Sequence, residues 1–202
     1  GHKISTDQAA RQYGSKIAAQ IHEEANASLA FTTNLIKEND IDCELQICGR
    51  LRTAWTPQDQ IDMSKNLEKL KAIENFNSNM IEPELMPNSI KTDLYFGGQF
   101  YEDHGAVHPR KFHYGLLQLA LRAGAKVFGK SPVNKVKPVS KDTVKGFKVS
   151  TANTTIQCNQ VLMATNGYTQ PSLSKHLSRR ILPIPSYIIT TEDIGVERVQ
   201  SL

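Results

Sequence analysis

"CNQVLMATNGYT", residues Cys158 to Thr169, is the stretch on which the reading of this chain turns. Val161 to Thr165 run without a charge and stop at Asn166-Gly167. A short continuous apolar run ended by small and turn-forming residues is the pattern of a strand buried on both faces. Such a strand delivers backbone N–H groups at its C-terminal tip, the edge where open α/β sheets hold their ligands.

Working back from that run, the period is strand-like throughout: "TIQCNQ" follows a tight turn at Asn153, and "GFKVST" and "PVNKVKPV" precede it. Lys126, Lys130, Lys135, Lys137, Lys141, Lys145 and Lys148 fall in the same region. With no arginine and only Phe128 and Phe147 as aromatics, they read as a solvated lysine face rather than a nucleic-acid surface.

Further back, "GAKVFGKS" at Gly124 to Ser131 fits the nucleotide-loop string G-x-x-x-x-G-K-[ST]. A phosphate-cradling loop needs a strand before it and a helix N-terminus after it. Here the order is reversed. Pro109 suits a first helical position, and Phe112, Leu116, Leu117, Ala120 and Leu121 make a stripe that ends at Gly124, a helix-terminating glycine. After Pro132, "VNKVKPV" has no helical stripe, so the string is a chance match.

The N-terminal half alternates helices and strands. Ser5-x-x-Gln8 is a capping box, and Tyr13, Ile17, Ile21, Ala25 and Leu29 recur at helical spacing, which predicts one helix over residues 6 to 38. From Leu45 the period is two: Leu45, Ile47, Gly49, Leu51, Thr53 and Trp55 on one face, and Gln46, Cys48, Arg50, Arg52 and Ala54 on the other. Pro57 opens a second helix through Ile73, a turn lies near Pro83 to Pro87, and "DLYFGGQFYED" from Asp93 is another strand. Gly97 and Gly98 inside it imply a bulge or a close backbone approach.

The 202 residues, 39% hydrophobic and 22% charged with net charge +4, suit one globular core with a small satellite layer. No apolar run approaches the ~20 residues that span a bilayer, so neither a membrane nor a nucleic acid is expected as partner. Three cysteines, without a signal peptide, point to the reducing cytoplasm. Cys43 and Cys48 fall on opposite faces of a strand and favour neither disulfide nor metal. His104, His108 and His113 beside Asp103 tempt a metal reading. The first two precede Pro109 and the third lies in the helix, so they project differently and no metal is expected; His108 instead helps start the helix.

Taken in order, the helix, "GAKVF", "PVNKV", the hairpin and "CNQVLMATNGYT", together with "HGAVHPRKF", Gly49 to Leu51 and "RRILPIPSYIITTE", resemble the D-amino-acid-oxidase-like FAD-dependent oxidoreductases. That group includes glycine oxidase, sarcosine oxidase and gamma-glutamylputrescine oxidase. The resemblance implies an α+β fold, a mixed and mostly antiparallel sheet with helices on one face, plus a hairpin layer and one returning strand of an FAD domain. Over the single unit 1–202, residues 1–108 and 179–202 would be the substrate layer, and 109–170 part of the FAD-binding domain. The family's G-x-G-x-x-G turn and closing glycine-rich segment do not occur in this sequence. The chain is therefore expected to be an internal portion that carries no FAD and has no activity by itself.

The resemblance implies oxidation of the CH–NH bond of a small-molecule amine or amino acid by hydride transfer to FAD. The backbone of Val133 would meet the adenine side of the cofactor, the other reading being a core valine. Ala164, Thr165, Asn166 and Gly167 would pass its pyrophosphate or ribityl region, with Asn166 standing where the pattern usually has glycine. Arg50 and Arg52 suit a substrate carboxylate because a guanidinium binds both oxygens, although two solvated arginines fit the same strand. Tyr187 would line the cavity or simply pack. No catalytic residue stands out, and the oligomeric state is open. A second class of reading is a non-catalytic binding or assembly module that keeps the α+β layer without cofactor.

Overall fold

A computed structural model of the chain describes residue 4 and residues 6–73, 77–141 and 144–201. Ser5, first residue of the expected capping box, lies outside them. The described chain forms two compact units, one of residues up to Ala125 together with those from Ile194 onward, the other Lys126–Asp193.

In the first unit the expected single N-terminal helix is two: α1, Thr6–Tyr13, and α2, Ser15–Glu38. Gly14, at φ 85°, separates them. Its N–H still bonds the Ala10 carbonyl at 2.9 Å, but the left-handed backbone, open to glycine at no Cβ cost, turns the chain instead of extending the helix. Asp40, at φ 50°, ends α2 and sends Ile41 back onto it, the Ile41 N–H meeting the Ile36 carbonyl at 3.0 Å. Helix α3, Pro57–Ile73, starts where expected. Its true signal is a reciprocal cap: the Asp59 carboxylate accepts from Thr56 N–H at 3.0 Å, and Thr56 Oγ1 accepts from Asp59 N–H at 3.1 Å.

Strands β1, Arg50–Thr53, β2, Ser78–Ile81, and β3, Gly98–Tyr101, form an antiparallel sheet in the order β1-β3-β2. A 3-10 turn at Pro83–Asn88 follows β2. The pairing of β1 with β3 extends beyond the strands in both directions. Gln46 and Ala106 exchange backbone bonds of 3.0 and 2.9 Å, Gly49 N–H bonds the His104 carbonyl at 2.8 Å, and Ala54 N–H bonds Gly97 at 2.9 Å. Residues 43–54 thus run as an irregular ribbon along 96–108, interrupted where Glu44 (φ 56°) and Gly49 (φ 74°) turn left-handed. The interruptions break the expected alternation. Ala54, placed on the polar face, is fully buried, whereas Ile47 and Trp55, placed on the apolar face, are exposed, Trp55 with its ring edge against Tyr95.

Helix α4, Pro109–Arg122, forms over the expected residues, with His108 as its cap, Nδ1 accepting from Lys111 N–H at a long 3.5 Å, but Ala120 and Leu121 of the expected stripe are exposed. Phe112, Leu116 and Leu119 pack on a core of Ile36, Ile41 and Cys43. Gly124 ends the helix at φ 90°, and Ala125 N–H closes onto the Ala120 carbonyl at 3.0 Å. Through Ser131 no helix follows, and the next element is a strand, so "GAKVFGKS" lacks the helix N-terminus that a phosphate loop needs.

The second unit is built on a meander, β4 (Lys135–Lys141), β5 (Val144–Ser150) and β6 (Thr155–Cys158), in that order. Its register pairs Val136 with Val149 and Val149 with Ile156, and Phe147 with Pro138 and Cys158, all on one face. The opposite face pairs Lys137 with Lys148 and Lys135 with Ser150, and these lysines are exposed. Lys135, Lys137 and Lys148 of the lysine run are therefore on the polar side of a two-faced sheet. Residues 159–165 form no strand, and Leu162 is 91% exposed, unlike the doubly buried strand expected there. A strand exists only against a hydrogen-bonded neighbour, and among the described residues none pairs with this run. Beyond it come a 3-10 turn, Asn166–Tyr168, and a short helix α5, Lys175–Ser178, capped by Ser174 Oγ. Residues 181–193 have no regular structure, and α6, Val196–Ser201, belongs to the first unit.

Within β3 the backbone of the neighbouring strand approaches closely at Gly98, where an added Cβ would lie 2.7 Å from the Arg52 carbonyl oxygen. That oxygen belongs to the neighbouring strand and has nowhere to go. Gly98→Ala is expected to lose about 1–3 kcal/mol in urea unfolding, as overpacked sites do; an unchanged midpoint would refute the close approach.

Candidate functional site

Two sets of residues were expected to carry function, and each is described within its own unit. In the second unit Val133 is 37% exposed and stands one residue before Asn134, whose N–H bonds the Ser150 carbonyl at 2.8 Å and starts the meander. Ala164, Thr165, Asn166 and Gly167 form a tight turn. The left-handed residue is Asn166, at φ 48°, and its Oδ1 accepts from the Gly167 N–H at 2.8 Å. Thr165 and Thr169 join their hydroxyls at 2.6 Å, and Thr169 Oγ1 donates to the Asn166 carbonyl at 2.8 Å. Gly167 itself is not left-handed, and a Cβ there would meet Pro183 at 3.4 Å, an ordinary contact. The turn thus forms without needing glycine at 167. Ala164, Thr165 and Asn166 are exposed and none has a long side chain, so the backbone here is open to a large flat or phosphate-bearing group. FAD fits that exposure.

In the first unit the register puts Arg50, Tyr101 and Ser78 in one cross-strand row and Arg52, Gln99 and Met80 in the next, on the same face. Leu51, Phe100 and Asn79 take the other face. Both arginines are exposed, and the Arg50 guanidinium lies 5.7 Å from the Tyr101 ring centre. Beneath them is a polar network that the sequence reading did not foresee. Gln99 is fully buried and donates through Nε2 to Ser78 Oγ at 2.9 Å; Ser78 Oγ donates to the Phe100 carbonyl at 2.8 Å; Tyr101 Oη donates to Gln99 Oε1 at 3.0 Å. The only sequence signal was a glutamine at an alternating position of a strand. Tyr187, in the second unit, is 90% exposed.

His104 lies with its ring 4.9 Å from that of Tyr101, tilted by 30°. Burial holds its pKa below the ordinary histidine value, the Arg50 charge adds to the effect, and Asp103 opposes it. Asn77 Nδ2 donates to Asp103 Oδ1 at 3.1 Å. These side chains border a cavity of about 450 Å³ whose other wall is α2. A wider groove of about 740 Å³ runs between the Asn39–Asp42 turn and α4. At that edge Lys111 Nζ reaches Glu44 at 2.6 Å and Asp42 at 3.9 Å. The hydrogen bond from Lys111 lowers the Glu44 pKa and raises that of the lysine. His104, His108 and His113 do not converge: the first stacks on Tyr101, the second caps α4 and the third rides on the helix. Among the described residues no three His, Cys, Asp or Glu side chains gather as metal ligands, and no helix is long and apolar enough to cross a membrane.

The chain belongs to the FAD dependent oxidoreductase family, whose model matches residues 4–201. A Haemophilus influenzae protein named "Probable oxidoreductase OrdL" is 30% identical over 140 residues, covering 68% of this chain and 31% of that protein. The gamma-glutamylputrescine oxidoreductase of Escherichia coli is 22% identical over 167 residues, covering 83% of this chain and 38% of the enzyme. Among solved structures, glycine oxidase from Geobacillus kaustophilus superposes with a TM-score of 0.64 at 16% identity, over 87% of this chain and 45% of that one. The chain therefore spans between about a third and a half of the length of these relatives.

The lowered pKa of His104 has a definite sign in stability. The unfolded chain binds the proton more readily than the folded one, so the stability present above the ordinary histidine value is lost as pH falls through and below it. Unfolding midpoints are expected to fall between about pH 7 and pH 5 in the wild type and to fall less in His104→Gln. Equal slopes for the two proteins would show that His104 does not titrate low.

Proposed function

We propose that this chain is part of an FAD-dependent oxidoreductase that oxidises the CH–NH bond of a small-molecule amine or amino acid. Family membership supports the flavin chemistry, and the names of the relatives, a glycine oxidase and a gamma-glutamylputrescine oxidoreductase, support the substrate class. When bound, FAD supplies the acceptor for the hydride. Residues 1–108 and 179–202 are assigned to the substrate layer, and 109–170 to the FAD-binding part.

The observation that carries the cofactor assignment is Gly167. Neither its backbone angle nor a close neighbour in the chain calls for glycine, whereas a group lying along the exposed turn would. Ala164, Thr165 and Asn166 are assigned to the same contact, and Val133 to the adenine side. In the proposed reaction these residues bind and orient the cofactor. Arg50 and Arg52 hold a carboxylate of the substrate through paired N–H donors, and Tyr187 helps exclude water.

The test uses the full-length protein that contains this chain. Purified, it should carry FAD, and an amine or amino acid should bleach the flavin without added catalyst. Gly167→Val should weaken FAD binding by roughly tenfold or more with little change in circular dichroism, since the bulk enters space the cofactor needs. Asn166→Gly should retain the flavin, because glycine takes the same left-handed turn more easily. Full flavin occupancy in Gly167→Val would remove the turn from the cofactor site.

The arginines give a separate readout. Arg52→Ala should raise KM for an amino acid by about tenfold while leaving KM for the matching decarboxylated amine unchanged. Equal effects on both substrates would show that Arg52 does not hold the carboxylate.

A further inference from the structure

We propose that the polar face of the meander in the second unit docks an acidic, extended segment of a partner protein. Two cross-strand rows make up that face: Lys137, Lys148 and Gln157 in one, and Lys135, Ser150 and Thr155 in the next. The inference rests on β4 to β6 alone and does not depend on the flavin reading.

The two rows form a grid of hydrogen-bond donors. Lys135, Lys137, Lys148, Thr155 and Gln157 are exposed, and half-buried Ser150 has its hydroxyl 3.1 Å from that of Thr155. Strands β4, β5 and β6 contain no aspartate or glutamate, and among the described residues none of the three lysines has an ion pair. Lys137 stands directly opposite Lys148. Like charges at facing positions destabilise a sheet, and an opposite charge at either one would remove the cost. Here both positions carry an ammonium, so the relief has to come from an anion laid over the face.

Spacing and composition select the anion. Residues two apart on one strand stand about 6.6–6.8 Å apart, and an extended acidic chain repeats its carboxylates on one side at the same distance. Alternate acidic residues therefore reach Lys135 and Lys137 together, while Lys148 flanks them from the next strand. Lysine ammoniums are compact point charges that suit single carboxylates. A nucleic acid fits less well, because the face has no arginine and no aromatic ring on which a base could stack. A membrane surface also fits less well. Anionic leaflets are met by clusters of about four to eight cations, more than these rows hold.

The experiment titrates the whole chain, at about 20 mM salt, with two capped peptides of equal charge and length. One alternates glutamate with serine, and the other groups its glutamates in a block; amide shifts at Lys137, Lys148 and Gln157 report binding. The alternating peptide should bind with a Kd of about 1 mM or below, roughly threefold more tightly than the block peptide, and weaken as salt is added. Lys148→Gln should weaken it about threefold, whereas Lys65→Gln, on the exposed side of α3 in the first unit, should leave it unchanged. Lys137→Glu sets opposite charges face to face, so it should abolish binding without lowering the urea midpoint, which separates lost docking from lost folding. Thr155→Lys adds a cation to the grid and should strengthen binding. Equal binding of the two peptides, tighter binding of oligothymidylate or of phosphatidylserine vesicles, or binding retained in Lys137→Glu would overturn the proposal.

Discussion

The first unit hangs on one constraint, the antiparallel run of residues 43–54 against 96–108. It contains β1 and β3, so it sets which residues face each other across the sheet. Where it ends, the His108 N–H bonds the Cys43 carbonyl at 2.8 Å, and that bond sets the point from which α4 departs. Because α4 leaves there, Phe112, Leu116 and Leu119 fall on Ile36, Ile41 and Cys43 and close the core. A slip of one residue would turn Gln99 and Tyr101 to the opposite face and leave Gly98 out of line with Arg52.

The sheet interior is partly polar, which is costly unless every group is paired. Gln99 and Ser78 are each about 99% buried or more, and they satisfy one another and the Phe100 carbonyl. Their bonds tie β2 to β3 by side chains as well as backbone. They also fix the Tyr101 hydroxyl, and through the Tyr101 ring they orient His104 and the Arg50 guanidinium. A buried amide thus organises the charged and aromatic groups at the sheet surface.

The second unit obeys a simpler rule. A three-stranded meander has two faces, and alternation along β4 to β6 makes one apolar and one lysine-rich. The segments that follow are apolar but unpaired, with Leu162, Tyr187 and Ile189 each about nine-tenths exposed or more. The family match, residues 4–201, includes them.

Much of this was legible in the residues themselves. Pro57, Pro109 and Gly124 mark helix boundaries because proline and glycine act through their own backbone, whatever surrounds them. The strands of the meander follow from period-two alternation, and the order of segments carried the family. The nucleotide-loop string could be set aside on sequence order alone, since a helix stood where a strand was needed. What the sequence could not determine depends on distant partners. The left-handed Glu44 and Gly49, and the reversal of Ala54 and Trp55, go with how two remote segments pair, whereas the break at Gly14 is a local left-handed turn. Gln99 and Ser78 become a network only when β2 and β3 lie side by side. The run "VLMAT" shows the limit most clearly: composition makes it a strand, but a strand is a relation between two chains of peptide groups, and only tertiary structure supplies the second.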